Sequence, residues 1–422
     1  MYLTKEEEKM LDGEFGSGVA NSMKILTKLG DAYGAEKMID CCGAHFGAWK
    51  SVPEVGIAVL NEFSKLSKET EARIPCTTNP LILNLSLSKR FGVPEDVAEE
   101  YREYMSKWEN LVYGMGASPT YSCHWYPFEP KMGDHYALTE SNVNMFANTW
   151  YGIRSNMEGD ISAVASAVTG KTPEYGLHLT ENRYAKVLVE LSNIDTKKLT
   201  HADVSAISYY AGKQAHTYEI IAYKGFPRST DASQVKCMQP QINGSSSSLS
   251  HVIGITPEAK TLEMAFGGEN PEDKIIIGKE EMNETFDKFN TTSEEKVDAV
   301  FIGCPHCTLK EIKELALLLR NKKVKEDVRL WIGTSAVVKS LADKMGLVSP
   351  IESAGGIILT DMCTLCPFLI GLIKRWNMKT VATNSGCFSG IIAELPTFMP
   401  VGLRFGSVKK CMEAAVNGKW QE

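Results

Sequence analysis

The chain has 422 residues, of which 43% are hydrophobic and 23% charged, as in an ordinary globular protein with two or three domains. Its formal net charge of −7, without any lysine- and arginine-rich block, argues against nucleic-acid binding. The N-terminus, MYLTKEEEKM, lacks the basic start and apolar run of a secretory signal. No stretch approaches the ~20 apolar residues of a membrane span, so we expect a cytoplasmic protein.

The N-terminal part of the chain predicts helices. Over residues 1–40, Thr4 and Glu7 have the spacing of a capping box before an apolar-periodic run. A second helix is expected within residues 88–113, where Pro94 opens a charged run rich in helix formers.

The middle of the chain has a different composition. Residues 112–185 are dense in glycine, aromatic residues, asparagine and histidine, which is typical of a segment that lines a pocket. The serine-rich Gly244–Ser250 favours a structured loop, and residues 268–294 are polar and predict a surface boundary. We therefore expect three lobes, with approximate bounds 1–120, 121–290 and 291–422.

The last part of the chain alternates strands with helices. Thr308 and Glu311 form another capping-box pattern before an amphipathic helix, and a further helix is expected over residues 335–345. The expected strands are Val297–Gly303, Val328–Gly333, Gly356–Thr360, Thr380–Thr383 and Val401–Phe405. This alternation predicts an α/β fold with parallel strands, in which ligands bind beyond the carboxyl ends of the strands.

Two CxxC motifs follow strands of this last lobe. The first runs from Cys304 to Cys307 and the second from Cys363 to Cys366, among eleven cysteines in the chain. A disulfide framework is not expected in a reducing compartment. A zinc ribbon fits poorly, since a whole strand–helix–strand unit separates the motifs, but a thioredoxin-like redox pair stays open.

A third interpretation is that one cysteine from each loop reaches a shared metal cluster. Thiolates are the usual ligands of iron–sulfur clusters, and a catalytic cluster needs three of them, leaving one iron open as a Lewis acid. Cys123, in the segment SPTYSCHWYPF, is the preferred third ligand. The competing cysteines are Cys41, Cys42, Cys76, Cys237, Cys387 and Cys411.

Several motifs, in order along the whole chain, resemble the aconitase X family. They are Thr77-Thr78-Asn79-Pro80, Gly133-Asp134-His135, Glu140-Ser141-Asn142, Phe146-Ala147-Asn148, Gly152-Ile153-Arg154-Ser155-Asn156, Gly176-Leu177-His178, Glu181-Asn182-Arg183, Gly303-Cys304-Pro305-His306, Asp361-Met362-Cys363 and Ala382-Thr383-Asn384-Ser385-Gly386.

The resemblance implies an aconitase-like fold, with three α/β/α lobes and largely parallel sheets around a central iron–sulfur cluster. It implies Cys123, Cys304 and Cys363 as the ligands, and it leaves the cluster type (2Fe-2S, 3Fe-4S or 4Fe-4S) open. The family's swivelling domain has no match before the chain ends at Trp420-Gln421-Glu422. We therefore expect a small partner subunit that carries that domain and completes the active site.

The resemblance also implies the reaction, a hydro-lyase removing water from a small hydroxy acid. We expect cis-3-hydroxy-L-proline as the substrate, because no clear phosphate cradle is present; Gly244–Ser250 and Lys224–Arg228 are the candidates for one. Mevalonate 5-phosphate is the alternative within the class. A non-catalytic cluster- or zinc-binding subunit is the alternative of another class.

Dehydration needs an acid and a base, and the small subunit is a possible source of the base. Histidines inside the matched motifs are the catalytic candidates in this chain: His135, His178 and His306. Polar residues of the same motifs are the substrate-binding candidates: Thr78, Asn79, Ser141, Asn148, Arg154, Asn156 and Arg183. The alternatives are an orienting hydrogen bond for His306, structural ion pairs for the arginines and satisfied loop backbone for the amides.

Overall fold

A computed structural model of the chain describes residues 1–47, 53–67, 70–90, 92–123, 130–363, 367–397 and 399–421. It divides into two compact units. Unit 1 consists of Met1–Pro80 and Glu95–Tyr184, and unit 2 of Leu81–Pro94 and Ala185–Glu422. No helix of the described residues is long and apolar enough to cross a membrane.

Unit 1 contains a four-stranded parallel sheet and an antiparallel pair of strands. The strands are β1 (Met38–Asp40), β2 (Gly43–Phe46), β3 (Cys76–Thr78), β4 (Tyr136–Thr139), β5 (Met157–Glu158) and β6 (Lys171–Pro173). The parallel sheet has the order β3-β2-β4-β5, and β1 pairs with β6. The helices are α1 (Lys5–Asp12), α2 (Ser17–Ala32), α3 (Pro53–Leu66), α4 (Glu95–Gly114), α5 (Ser141–Phe146) and α6 (Asp160–Thr169).

Local sequence explains where these helices begin. Thr4 and Glu7 form the expected capping box on α1, in which each side chain accepts a hydrogen bond from the other residue's backbone N–H. The helix α4 begins directly after Pro94, as expected. Small apolar residues along α6 are buried and allow this helix to pack closely on β2.

Unit 2 contains two parallel sheets, and the first has the order β10-β7-β8-β9. Its strands are β7 (Val187–Leu191), β8 (Ile221–Lys224), β9 (Ser250–Val252) and β10 (Asp273–Ile277). Its helices are α7 (His201–Gln214), α8 (Ala232–Val235), α9 (Ile242–Ser245), α10 (Leu262–Ala265) and α11 (Lys279–Phe289).

Residues 268–294, expected as a polar surface boundary, contain regular secondary structure that the sequence analysis did not predict. This stretch forms β10 and α11, because an alternating pattern within a polar sequence is enough to build an edge strand. Ile275 and Ile277 are buried while Ile276 between them is exposed, and β10 pairs in parallel with β7.

The second sheet of unit 2 has the order β13-β12-β11-β14-β15. Its strands are β11 (Ala299–Ile302), β12 (Arg329–Thr334), β13 (Ile357–Thr360), β14 (Thr380–Thr383) and β15 (Gly402–Phe405). Its helices are α12 (Leu309–Leu319), α13 (Ala336–Lys344), α14 (Val348–Ala354), α15 (Pro367–Arg375), α16 (Gly386–Glu394) and α17 (Val408–Asn417). The expected alternation is therefore confirmed, and the strand order reverses between β11 and β14, where doubly wound sheets bind their ligands.

Gly303 ends β11 and turns the chain into the first CxxC motif. Its φ of +95° lies in the region that favours glycine. A Cβ atom there would lie 2.2 Å from the carbonyl oxygen of Gly333 on β12. Because glycine has no side chain, the backbone at the start of this motif can pack directly against β12.

Replacing Gly303 by alanine is expected to lower the thermal unfolding midpoint strongly, because backbone strain of about 1–3 kcal/mol adds to a clash with main chain. The control is Gly346→Ala, where φ is +69° but no atom lies within 4 Å of the added methyl group. Differential scanning calorimetry of the two variants separates strain from clash. Equal shifts would show that the Gly333 contact contributes nothing.

Candidate active site

The two CxxC motifs follow strands that are not neighbours, since β12 lies between β11 and β13. A direct hydrogen bond nevertheless joins the loops that carry them. His306 donates its Nε2–H to the carbonyl of Met362 at 2.8 Å, which fixes the tautomer of the imidazole. Leu81 adds two backbone bonds, to the carbonyl of Asp361 (2.7 Å) and from the N–H of Cys363 (3.1 Å). The start of the second motif is therefore held both by the loop of the first motif and by Leu81.

The cysteines of these loops differ in exposure. Cys304 and Cys363 are half-buried, whereas Cys307 is fully buried. Burial raises the pKa of the Cys307 thiol well above its usual value, so this thiol is neutral and behaves as a small core residue. Cys366 lies outside the described residues.

A buried ammonium group supports the loop from Cys304 to Cys307. Lys236 Nζ donates to the carbonyls of Pro305 (3.2 Å) and His306 (2.7 Å), and it forms an ion pair with Glu311 at 2.7 Å. Burial disfavours both charges, but the attraction between them outweighs it, raising the pKa of Lys236 and lowering that of Glu311. His201 Nδ1 lies 3.5 Å from the same carboxylate.

Cys123 lies in unit 1 beside the strand β3. The N–H of Ser122 and the hydroxyl of Thr120 both donate to the carbonyl of Thr78, at 3.0 and 3.1 Å. Cys123 itself is buried in an apolar cluster with Tyr136, Leu138, Val143, Ala147 and Ile153. Unit 1 thus brings the predicted ligand next to β4 and the predicted pocket segment around Thr78.

The structure places no three histidine, cysteine, aspartate or glutamate side chains of the described residues together as a metal site. Cys304 and Cys363 belong to unit 2 and Cys123 to unit 1. All three stay predictions as ligands.

His135 and His178 form a pair in unit 1. Their Nδ1 atoms are 3.0 Å apart, so one ring donates its proton to the other. Burial, and then the neighbouring His135, lowers the pKa of His178 to about 3. Burial and then Arg154 also lower the pKa of His135, which is half-buried. Both rings are therefore neutral at pH 7, and the buried Nε2 of His178 makes no hydrogen bond with any of the described residues.

The two predicted arginines differ in their contacts. Arg154 donates to the carbonyl of His178 and the hydroxyl of Thr180, both at 2.8 Å, and its buried Nε has no hydrogen-bond partner within the part of the chain that the structure describes. Arg183 is buried and donates to the carbonyls of Leu177 (3.0 Å) and Ile153 (2.8 Å). Arg183 thus serves as a backbone anchor, and substrate contact by either arginine stays a prediction.

Several predicted substrate-binding side chains are engaged within unit 1. The amide of Asn148, in the π-helical turn Ala147–Tyr151, bonds the backbone at Asn144 and Ser155. Asn156 likewise bonds the backbone at Tyr175 and Leu177. These contacts correspond to the structural alternative, satisfied loop backbone.

The remaining three candidates lie close to strand ends. Ser141 donates to Glu140, and the hydroxyl of Thr78 accepts from the N–H of Tyr121 at 3.3 Å. Asn79 Oδ1 bonds Nε2 of the buried His45 at 3.3 Å. Their roles toward substrate stay predictions.

Sequence reasoning missed two features of this region. Lys236 gave no signal, because a lone lysine beside a cysteine resembles any surface lysine, and Glu311 was interpreted only as a helix cap. Glu140 was missed as a strained residue: its φ of +73° is unusual for a side chain of its size, and burial raises its pKa. The Lys236–Glu311 pair is revealed only by contacts between distant segments, and the strain at Glu140 only by its backbone angles.

Three family models match the chain in sequence order. They describe the first, second and third domains of aconitase X, over residues 1–181, 185–287 and 297–417. The chain therefore belongs to the aconitase X family, which confirms the resemblance and makes the chain a hydro-lyase of that type. The lobe boundaries expected at residues 120 and 290 stay predictions.

Individual relatives agree with this assignment. The chain is 34% identical over 424 residues to the phosphomevalonate dehydratase large subunit of Methanocaldococcus jannaschii, covering 98% of this chain and 100% of that one. It is 28% identical to the cis-3-hydroxy-L-proline dehydratase of Pseudomonas aeruginosa, with coverages of 98% and 70%. The crystal structure of Thermococcus kodakaraensis aconitase X in its holo-form superposes with a TM-score of 0.82 at 32% identity, covering 98% of this chain and 100% of that one. That likeness confirms the expected fold class.

Lys236→Met is expected to lower the free energy of unfolding by about 3–5 kcal/mol, because it leaves Glu311 buried without its counter-charge. Adding Glu311→Gln should restore part of this loss. Lys310→Met, which removes an exposed ion pair with Asp231, should cost less than about 1 kcal/mol. Urea unfolding compares the three, and no recovery in the double variant would contradict the charge argument.

Proposed function

We propose that the chain is the large subunit of an iron–sulfur-dependent dehydratase that removes water from a small hydroxy acid. The observation that carries the proposal is the pair of half-buried cysteines, Cys304 and Cys363, on tied loops at the carboxyl ends of parallel strands. Ligands collect at this edge of such a sheet. Family membership supplies the reaction class.

The donor set fits an iron–sulfur cluster. Thiols suit iron, and Cys304 and Cys363 are exposed enough to be reached, unlike Cys307. Cys123 is the proposed third ligand. A cluster held by three thiolates keeps one iron open, which would act as a Lewis acid on the departing hydroxyl.

The proton chemistry is proposed to lie with the histidine pair. His135 is the more exposed ring, and its low pKa leaves a lone pair available at neutral pH to take the proton next to the substrate's carboxylate. His178 would then hold the ring of His135 in position through the Nδ1 contact. Arg154 is the proposed partner of the substrate carboxylate.

We propose cis-3-hydroxy-L-proline as the first substrate, because both candidate phosphate sites are occupied by internal contacts. In Gly244–Ser250, the hydroxyls of Ser245 and Ser250 bond Gln241. Lys224 pairs with the carboxylate of Glu190 at 2.6 Å. A phosphate would have to displace these partners.

Mevalonate 5-phosphate is the second candidate, favoured by the comparisons. The Methanocaldococcus jannaschii relative, named for that substrate, is 34% identical, against 28% for the Pseudomonas aeruginosa hydroxyproline enzyme. The same relative is named a large subunit, which supports a small partner subunit for this chain as well. Assaying both substrates with the two-subunit complex, by mass-spectrometric detection of the dehydrated product, decides between them.

Cysteine variants are expected to separate ligands from spare thiols. After anaerobic co-expression with a small subunit, Cys123→Ser, Cys304→Ser and Cys363→Ser should each lose bound iron and sulfide. Cys307→Ala, Cys366→Ser and the exposed control Cys42→Ser should keep them. Iron, sulfide and zinc per chain are the measurement. Zinc without sulfide would contradict the iron–sulfur proposal and would favour a non-catalytic zinc-binding subunit.

His135→Gln is expected to lower kcat by about 10²–10⁴-fold while KM changes little, since a general base acts on the chemical step. The wild-type pH profile should keep its activity down to below pH 6.5 and lose it as His135 is protonated. That acid limb should vanish in the variant, and the exposed His216→Gln should behave as wild type. Full activity of His135→Gln would place the base elsewhere, for example on the small subunit.

A further inference from the structure

A fully buried histidine lies near the carboxyl end of the parallel sheet of unit 1. His45 belongs to β2, which has β3 on one side and β4 on the other, so the strand order reverses at β2. Ligands of doubly wound sheets bind beyond the strand ends at such a point. The function proposed above gives His45 no role. Buried polar side chains are hydrogen-bonded in folded proteins, so the partners of this ring are informative.

Strand register brings the ring of His45 next to two side chains of the neighbouring segment. The strands β2 and β3 are parallel, and His45 lies directly opposite Thr77. The N–H of Asn79 donates to the carbonyl of Phe46 at 3.0 Å, which continues the ladder past the end of β3. Because alternate residues of a strand point to the same face, Thr77 and Asn79 both reach the imidazole of His45.

The contacts of the ring fix its tautomer. Nε2 of His45 lies 3.3 Å from Oδ1 of Asn79, and this oxygen can only accept, so Nε2 carries the proton. Burial lowers the pKa of His45 to about 4, so the ring is neutral at pH 7 and its Nδ1 keeps a lone pair. The hydroxyl of Thr77, which lies 2.8 Å from Nδ1, therefore donates to it.

These two hydrogen bonds determine which end of the Asn79 amide has no internal partner. The oxygen accepts from His45, so the opposite end is the NH2 group with its two donors. That group has no acceptor among the residues that the structure describes. Asn79 is only 9% exposed, so little solvent reaches these donors, and an acceptor on a ligand would satisfy them.

Gly47 confines Asn79 from another direction. A Cβ atom on Gly47 would lie 2.7 Å from Cβ of Asn79, so any side chain there would displace the asparagine. The N–H of Gly47 donates to Oδ1 of Asp160 at 3.1 Å, which ties this close approach to the first residue of α6. The backbone that follows β2 therefore limits where the amide of Asn79 can go.

We propose that Thr77 and His45 are positioning residues that hold the amide of Asn79 with its N–H donors toward an oxygen of the substrate. The inference deepens the proposed function and rests on it. Both candidate substrates are hydroxy acids whose oxygens accept such a bond, so the arrangement serves either of them. Asn79 alone contacts the substrate, and the orientation of its amide depends on a buried imidazole and a buried hydroxyl behind it.

The first measurement is the tautomer of His45 in the anaerobically purified two-subunit complex. Nitrogen chemical shifts measured by NMR distinguish a protonated ring nitrogen from a bare one. The signals of His45 are identified as those that move in Thr77→Val. We expect a protonated Nε2 and a bare Nδ1 at pH 7. A proton on Nδ1 would overturn the inference, because the oxygen of Asn79 would then face the substrate.

The second measurement separates positioning from stability. The double variant His45→Leu/Thr77→Val replaces both hydrogen-bonding partners by apolar side chains of similar size, which is close to neutral for stability. Asn79 then keeps its amide but loses the ring that orients it. Asn79→Asp replaces the donor by a carboxylate, which can only accept. The control Thr285→Val removes another buried hydroxyl, which donates to the carbonyl of Ala206 in unit 2.

Isothermal titration calorimetry measures binding of L-proline and mevalonate, which resemble the two candidate substrates. We expect at least one of them to bind equally to wild type and Thr285→Val, and about 10- to 100-fold more weakly to Asn79→Asp, as for a lost hydrogen bond to a charged group. The double variant should unfold near the wild-type temperature yet bind about 2- to 10-fold more weakly, because its amide is ordered only on binding. A purely structural pair would leave the affinity of the folded double variant unchanged.

The inference is also overturned by unchanged affinity in Asn79→Asp or by the absence of binding of either probe to wild type. If the double variant does not fold, the tautomer and Asn79→Asp decide. Turnover of cis-3-hydroxy-L-proline and mevalonate 5-phosphate is measured separately. Binding that depends on Asn79, with the expected tautomer but without turnover of either substrate, would keep this arrangement and reject the proposed reaction.

Discussion

The buried ammonium of Lys236 is the interaction on which the cysteine loop of unit 2 depends. The carbonyls of Pro305 and His306 turn inward, where water does not satisfy them, and Lys236 is the donor that does. A charge at this depth is tolerable only because Glu311 lies beside it. Removing either Lys236 or Glu311 would therefore leave the other charge buried without a partner, and removing Lys236 would also leave the two carbonyls without a donor. The position of Cys304 therefore depends on the buried ion pair between Lys236 and Glu311.

Burial sets the chemistry of unit 1 in a similar way. Desolvation holds His135 and His178 neutral, which turns two weak acids into hydrogen-bond acceptors at physiological pH. Most other polar groups nearby, such as Asn148 and Arg183, are used to hold loop backbone. The polar side chains that suggested a pocket in the sequence thus mainly hold loop backbone in place, and few of their polar atoms remain to contact a substrate.

Sequence patterns could predict the fold because its signals are local. The capping boxes at Thr4 and Thr308 and the alternation of strands with helices after residue 297 each depend on neighbours along the chain. The strand within residues 268–294 was not predicted, because it is an edge strand with charged flanks. Motif spacing also singled out the two CxxC pairs, and the family resemblance pointed to Cys304 and Cys363 within them. Their support by Lys236, and the engagement of Arg183 with carbonyls, come from contacts over many residues, which no local pattern encodes.

Unit 2 includes Leu81–Pro94, a stretch that is flanked on both sides by unit 1 in the sequence. Within this excursion, Leu81 forms the two backbone bonds that hold Asp361 and Cys363. A fragment beginning at Ala185 would retain every cysteine of unit 2 and still lose the partner that orders one of them. The two units are thus covalently interlaced. Unit 2 cannot be excised as one continuous segment, and gene fission or domain shuffling at residue 184 would separate the cysteine loop from its own support.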